Sequence, residues 1–153
     1  MQQTHNNIKL LFNIKPDEDG YPPVSVESLW AKPLDNGNYL IDNIPFFVYG
    51  IASGYEVISE KKNGDLYFKD VCKANKKSVF RVIIKNDSSL ENSMNLFINL
   101  GCLTEGNLKH HLIAIEVPET TDIYPVLDLL MDLQEQGILD YEEGVLNHEI
   151  NYD

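Results

Sequence analysis

Through the first half of the chain, apolar and polar positions alternate with a period near two; twice in the second half they recur every three to four residues. Ile8 to Ile14 is a short apolar-rich run stopped by Pro16, which predicts a first strand, and Asp17-Glu18-Asp19-Gly20 turns the chain. Val24 to Leu34 reads as extended, with Val26, Ser28 and Trp30 on one side and Glu27, Leu29 and Ala31 on the other. Neither side is cleanly polar, as expected of a strand packed on both faces or lining a small barrel. Asn36-Gly37 and Asn63-Gly64 supply the positive φ angles of the primed turns and predict two hairpins. Pro45 removes a backbone donor, so Asn43 to Phe47 is a corner, and Phe46 and Phe47 would plug the barrel. The segment from Tyr21 to Gly54, with the single tryptophan and four of the seven prolines, is the expected keystone of the fold.

The pattern changes near Ser78. Val79 to Ile84 is a β-branched strand, and Ser88-Ser89-Leu90-Glu91 has capping-box form with Ser88 as the cap. Leu90, Met94 and Phe97, joined by Ile98 and Leu100, predict a helix face that Gly101 ends. Cys102 to Glu105, a turn at Gly106-Asn107, and His110 to Val117 predict a hairpin. A second helix, capped by Thr121 or Asp122, buries Ile123, Val126, Leu127, Leu130 and Leu133, and Gly137 stops it. Ile138 to Tyr141 is the closing strand, followed by an acidic tail from Glu142 to Asp153. The expected fold is α+β: a small N-terminal β-barrel over residues 1–77 packed as a lid against a C-terminal ferredoxin-like βαββαβ sandwich over residues 78–153.

Composition adds little to this, but charge adds a direction. The chain has 153 residues and a net charge of −12. From Met1 to Asn86 eleven Lys/Arg stand against ten Asp/Glu, whereas from Asp87 onward Lys109 faces fourteen acids. Such a field steers a basic partner and speeds its association. Within the first part, Lys61, Lys62, Lys69, Lys73, Lys76, Lys77, Arg81 and Lys85 form a basic stretch beside Tyr67 and Phe68, the feature a nucleic-acid-associated or regulatory module would use. The acidic remainder repels phosphates, and the aromatic RNA-binding signature is missing, so nucleic acid is the weaker reading. No apolar run reaches the ~18 residues of a membrane span, and the polar Met1 to Asn7 lead is no signal peptide, so a cytoplasmic location is expected.

Candidate chemistry is sparse. Asp17 to Asp19 lack EF-hand spacing, and His110 and His111, on opposite faces of a strand, cannot share a metal. Asp140, Glu142, Glu143, His148 and Glu149 have no second ligand set, and Cys72 and Cys102 show no Cys-x-x-Cys spacing and read as reduced thiols. Neither catalytic residues nor a cofactor are expected, and the chain reads as non-enzymatic.

The pieces Asp19-Gly20-Tyr21-Pro22-Pro23, Val26-Glu27-Ser28-Leu29-Trp30-Ala31, Tyr39 to Phe47 and Gly50-Ile51-Ala52 resemble a family of small bacterial proteins classed as a domain of unknown function. Arg81-Val82, Leu100-Gly101, Val117-Pro118 and Tyr141-Glu142-Glu143 are similar to it too, and Gly54-Tyr55-Glu56-Val57 departs from its Gly-Asp before the valine. Small acidic proteins of this kind resemble immunity proteins, which neutralise a cognate toxin by stoichiometric binding. That resemblance implies a basic toxin domain as partner, met by Glu119, Asp122, Asp128, Asp132 and Glu135 around the second helix.

Overall fold

The computed structural model describes residues 7–85 and 87–151, so the Met1 to Asn6 lead and the tail's last two residues lie outside the described residues. The chain divides into two compact units, 1–75 and 76–153. In the first, β1 (Ile8–Asn13), β2 (Val26–Pro33), β3 (Tyr39–Ile41), β4 (Glu56–Lys62) and β5 (Asp65–Lys73) close into a barrel in that order. All neighbours are antiparallel except β5 and β1, which meet in parallel at Leu11 and Tyr67.

β2 alternates strictly. Glu27, Leu29 and Ala31 are buried, and Val26, Ser28 and Trp30 are exposed. The tryptophan itself lies outside the core: it is 47% exposed on the outer surface, with the Lys9 Nζ 5.6 Å from its ring centre. Outward placement leaves the indole N–H in water and avoids a buried donor in a barrel this narrow. The interior is filled by Leu10, Phe12, Leu29, Ala31, Ile41 and Val57, with Phe47 also buried and Phe46 only half-buried. The Asn63-Gly64 turn has both residues at positive φ (51° and 86°), as a primed turn requires. The first hairpin differs. Gly37 alone is left-handed (φ 89°), its N–H bonds the Leu34 carbonyl at 3.1 Å, and the Asn36 carboxamide instead accepts the Asn38 N–H at 3.0 Å. Gly54 is left-handed as well (φ 81°), and the Tyr55 that follows it is buried.

In the second unit β6 (Ser78–Ile84), α1 (Leu90–Asn99), β7 (Leu103–Asn107), β8 (Leu112–Val117), α2 (Tyr124–Glu135) and β9 (Leu139–Val145) follow in sequence. The strands form one antiparallel sheet in the order β7-β8-β6-β9. Phe80, Val82, Ile84, Ile113, Ile115 and Leu139 from the sheet share one core with Phe97 of α1 and Val126, Leu130 and Leu133 of α2.

Several boundaries depart from the pattern reading. The cap of α1 is Ser89, which accepts the Asn92 N–H at 3.1 Å, so Ser88 stands outside and the reciprocal glutamate is lost. Ser93 is buried on that helix while Ile98 is 47% exposed. The hairpin turns at residues 108–111, where the Asn107 carboxamide accepts the His110 N–H and His111 is left-handed (φ 54°); both histidines sit in the turn, not on opposite faces of a strand. No side chain caps α2 at its N-cap Ile123, although an Asp122 oxygen accepts the Tyr124 N–H at 3.1 Å. β9 continues to Val145, because Arg81, Phe80 and Val79 keep pairing with Glu142, Glu143 and Val145; these two acids, expected in a tail, belong to the ladder.

Candidate functional site

α2 begins with a proline in its first turn, where a missing N–H costs nothing, and stops before the left-handed Gly137. Its buried side is Val126, Leu130 and Leu133. At 100° per residue, Tyr124, Asp128, Met131, Asp132 and Glu135 then fall within an arc of about 100° on the opposite side. All five are exposed, Tyr124 at 41% and Met131 at 48%. Three of the predicted carboxylates are thus brought together on one helix face, while Glu119 and Asp122 lie, also exposed, in the loop between β8 and α2. Among the described residues none of the five acids forms an ion pair.

The placement opposes the helix dipole. α2 has no acid in its first turn and no base in its last, while Asp132 and Glu135 stand near the C-terminal end, where negative charge is disfavoured. Tyr124 and Met131 were missed by sequence reasoning, although the 124, 128, 131, 135 spacing carries the signal. The Tyr124 hydroxyl accepts the Asn151 N–H at 2.8 Å, which orients the ring.

The basic stretch is dispersed. Lys61, Lys62, Lys69 and Lys73 belong to β4 and β5, whereas Lys76, Lys77, Arg81 and Lys85 belong to the second unit. Lys62 pairs with Glu60 at 3.2 Å, Lys77 with Glu116 at 3.6 Å and Lys85 with Asp140 at 3.4 Å. Arg81 is 1% exposed. Phe68 stacks on buried Phe12 with ring centres 4.8 Å apart, so it is turned to the barrel interior.

One Ser–His pair comes within reach: Ser78 Oγ lies 2.7 Å from His148 Nδ1. That oxygen also accepts the N–H groups of Asn147 and His148 at 2.9 and 3.1 Å, so its proton goes to Nδ1, and the ring's Nε2–H donates to the Pro118 carbonyl at 3.0 Å. Ser78 is fully buried. The pair clamps the segment after β9 and offers no accessible nucleophile. Both cysteines are free thiols, Cys102 pushed up to about 11 by burial and Cys72 raised by its hydrogen bond to Glu56. Among the described residues no three His, Cys, Asp or Glu side chains assemble as a metal site. Among the described residues no helix is long and apolar enough to cross a membrane.

A family model described as Domain of unknown function (DUF4265) matches residues 27–141. The chain belongs to this family. The matched span of the DUF4265 chain runs from the buried Glu27 on β2 into β9 and includes all five acids of the α2 region. A solved structure described as the novel crystal structure of a hypothetical protein from Neisseria gonorrhoeae is similar, with a TM-score of 0.80 and 20% identity, covering 96% of this chain and 100% of that one. At that identity the likeness speaks to the fold. No curated protein matches the chain.

Proposed function

We propose that this DUF4265 chain is a non-enzymatic binding protein, an immunity protein that neutralises a cognate bacterial toxin by stoichiometric docking on α2. The observation that carries the reading is the stripe Tyr124, Asp128, Met131, Asp132 and Glu135: carboxylates without ion pairs among the described residues, two of them set against the helix dipole, interleaved with two exposed large side chains. Acids at that helix end cost stability, and a cationic partner removes the cost on binding. Tyr and Met supply contact area of the kind found at interface centres. Glu119 and Asp122 extend the negative field past the helix N-terminus. Acting on a toxin made in the same cell places the protein in the cytoplasm. On this reading the second unit is a ferredoxin-like sandwich, supported by its βαββαβ order and its β7-β8-β6-β9 sheet.

The test is co-purification of the tagged full chain from its source cells, nuclease-treated, at low and high salt, followed by binding kinetics with the captured protein. A basic, stoichiometric partner should be retained at low salt. The triple variant Asp128→Lys, Asp132→Lys, Glu135→Lys should then slow association by about 10- to 100-fold. Unchanged kinetics at low salt would overturn the assignment of α2, and recovery of nuclease-sensitive material alone would favour the basic segment.

A further inference from the structure

We propose that the mouth of the first unit's barrel is a binding site for a flat aromatic anion, an aryl carboxylate. The inference goes beyond the α2 reading and rests on other residues. A cavity of 310 Å³ opens there, walled by Phe12, Phe47, Phe68 and Pro22 and rimmed by Asn13, Lys15 and Tyr49. That volume is at the low end of small-molecule sites, roughly 300–1,000 Å³, and suits one or two fused rings.

Shape and rigidity come from the barrel itself. Phe12 and Phe68 are stacked on each other at 4.8 Å with an 18° angle between planes, which holds both rings in place as a rigid apolar wall of the cavity. The 46–48 wall is held from behind, because the Glu27 carboxylate accepts the N–H groups of Phe46, Phe47 and Val48 at 2.7, 2.9 and 2.9 Å. Ile14 is pinned by its N–H to the Ser25 carbonyl at 2.8 Å, and the chain leading to Pro22 by the Tyr21 N–H to Asp17 Oδ1 at 3.0 Å. A site so braced loses little entropy when filled.

Charge selects the ligand. Lys15 is the one charged side chain among the lining residues, is exposed, and forms no ion pair among the described residues. The acids of the next turn do not line the cavity, and Asp17 is turned to the amides of Asp19 and Tyr21. A cationic ring is repelled by the ammonium, a neutral ring gains contact alone, and an aryl carboxylate gains contact and an ion pair.

The test titrates the isotope-labelled full chain with indole-3-acetate and, separately, tryptamine, following amide shifts by NMR. Indole-3-acetate should saturate shifts at residues 13–15, 47–49 and 68 with a dissociation constant on the order of 0.1–1 mM. Tryptamine should bind at least about fivefold more weakly, a difference that Lys15→Gln erases. Tyr49→Ala, on an exposed rim position, should weaken both ligands. The proposal is overturned by equal binding of the two probes, by a preference that survives Lys15→Gln, by shifts mapping elsewhere, or by no saturation up to about 10 mM.

Discussion

A carboxylate inside a small barrel is tolerable only if its oxygens are occupied, and Glu27, 8% exposed, meets that condition with three backbone N–H groups. Glu27→Ala leaves all three amides without their acceptor, an expected loss of about 2–4 kcal/mol in urea unfolding. Glu27→Gln should also destabilise, since one carboxamide face turns an N–H toward an N–H. Glu56 behaves differently. Hydrogen bonds from Asn38 and Asn36 hold its carboxyl below the usual 4.5, so the stabilisation is complete above that value and is lost as pH falls through the lower folded-state value. Glu56→Gln should flatten that part of the acid-unfolding curve. The same substitution frees Cys72 from the bond that raises it, so alkylation followed by mass spectrometry should show one adduct on the native chain, formed faster in the variant. Buried Cys102 should react only on unfolding.

At the scale of elements, α2 ties stability to the proposed docking face with opposite signs. Replacing Asp132 and Glu135 with lysine puts cations where the dipole favours them and should raise stability by about 0.3–1 kcal/mol each, measured by thermal unfolding. A loss of stability would mean that these acids serve the fold. On β9, a methyl group added at Gly144 would lie 2.9 Å from the guanidinium carbon of buried Arg81, so Gly144→Ala should cost about 1–3 kcal/mol. Residue patterns made the helices legible, since Val126, Leu130 and Leu133 repeat at helical spacing, and they made the barrel legible as a set of about five short strands, without its closure of β5 on β1. They left open which face of β2 turns inward, because alternation tells two faces apart without saying which is buried; the buried Glu27 on the inner face and the exposed Trp30 on the outer one hid the answer. They left β9 short because its acids look solvated, whereas the register with β6 is set by backbone pairing that composition does not record. The α2 carboxylates were legible, their apolar companions Tyr124 and Met131 less so, because exposure of a large side chain emerges only with helix phase.

At the scale of the molecule, the charge division seen along the sequence is redistributed by folding. Seven Lys/Arg stand against ten Asp/Glu in residues 1–75, and five against fourteen in residues 76–153, so each unit is acidic and the second strongly so. The two units also differ in closure. The barrel returns its fifth strand to its first, while the four-stranded sheet ends at β7 and β9. A terminal strand is a template on which a second copy can add its own strand, and β9 carries the exposed Glu143 beside Asp140, whose charge Lys85 meets at 3.4 Å, so such a copy would bring further carboxylates against its own. Neutral replacements at Asp140 and Glu143 should increase self-association relative to the unaltered chain, read by size-exclusion chromatography. The acids of this strand would then act as gatekeepers, keeping an open sheet from recruiting its own kind.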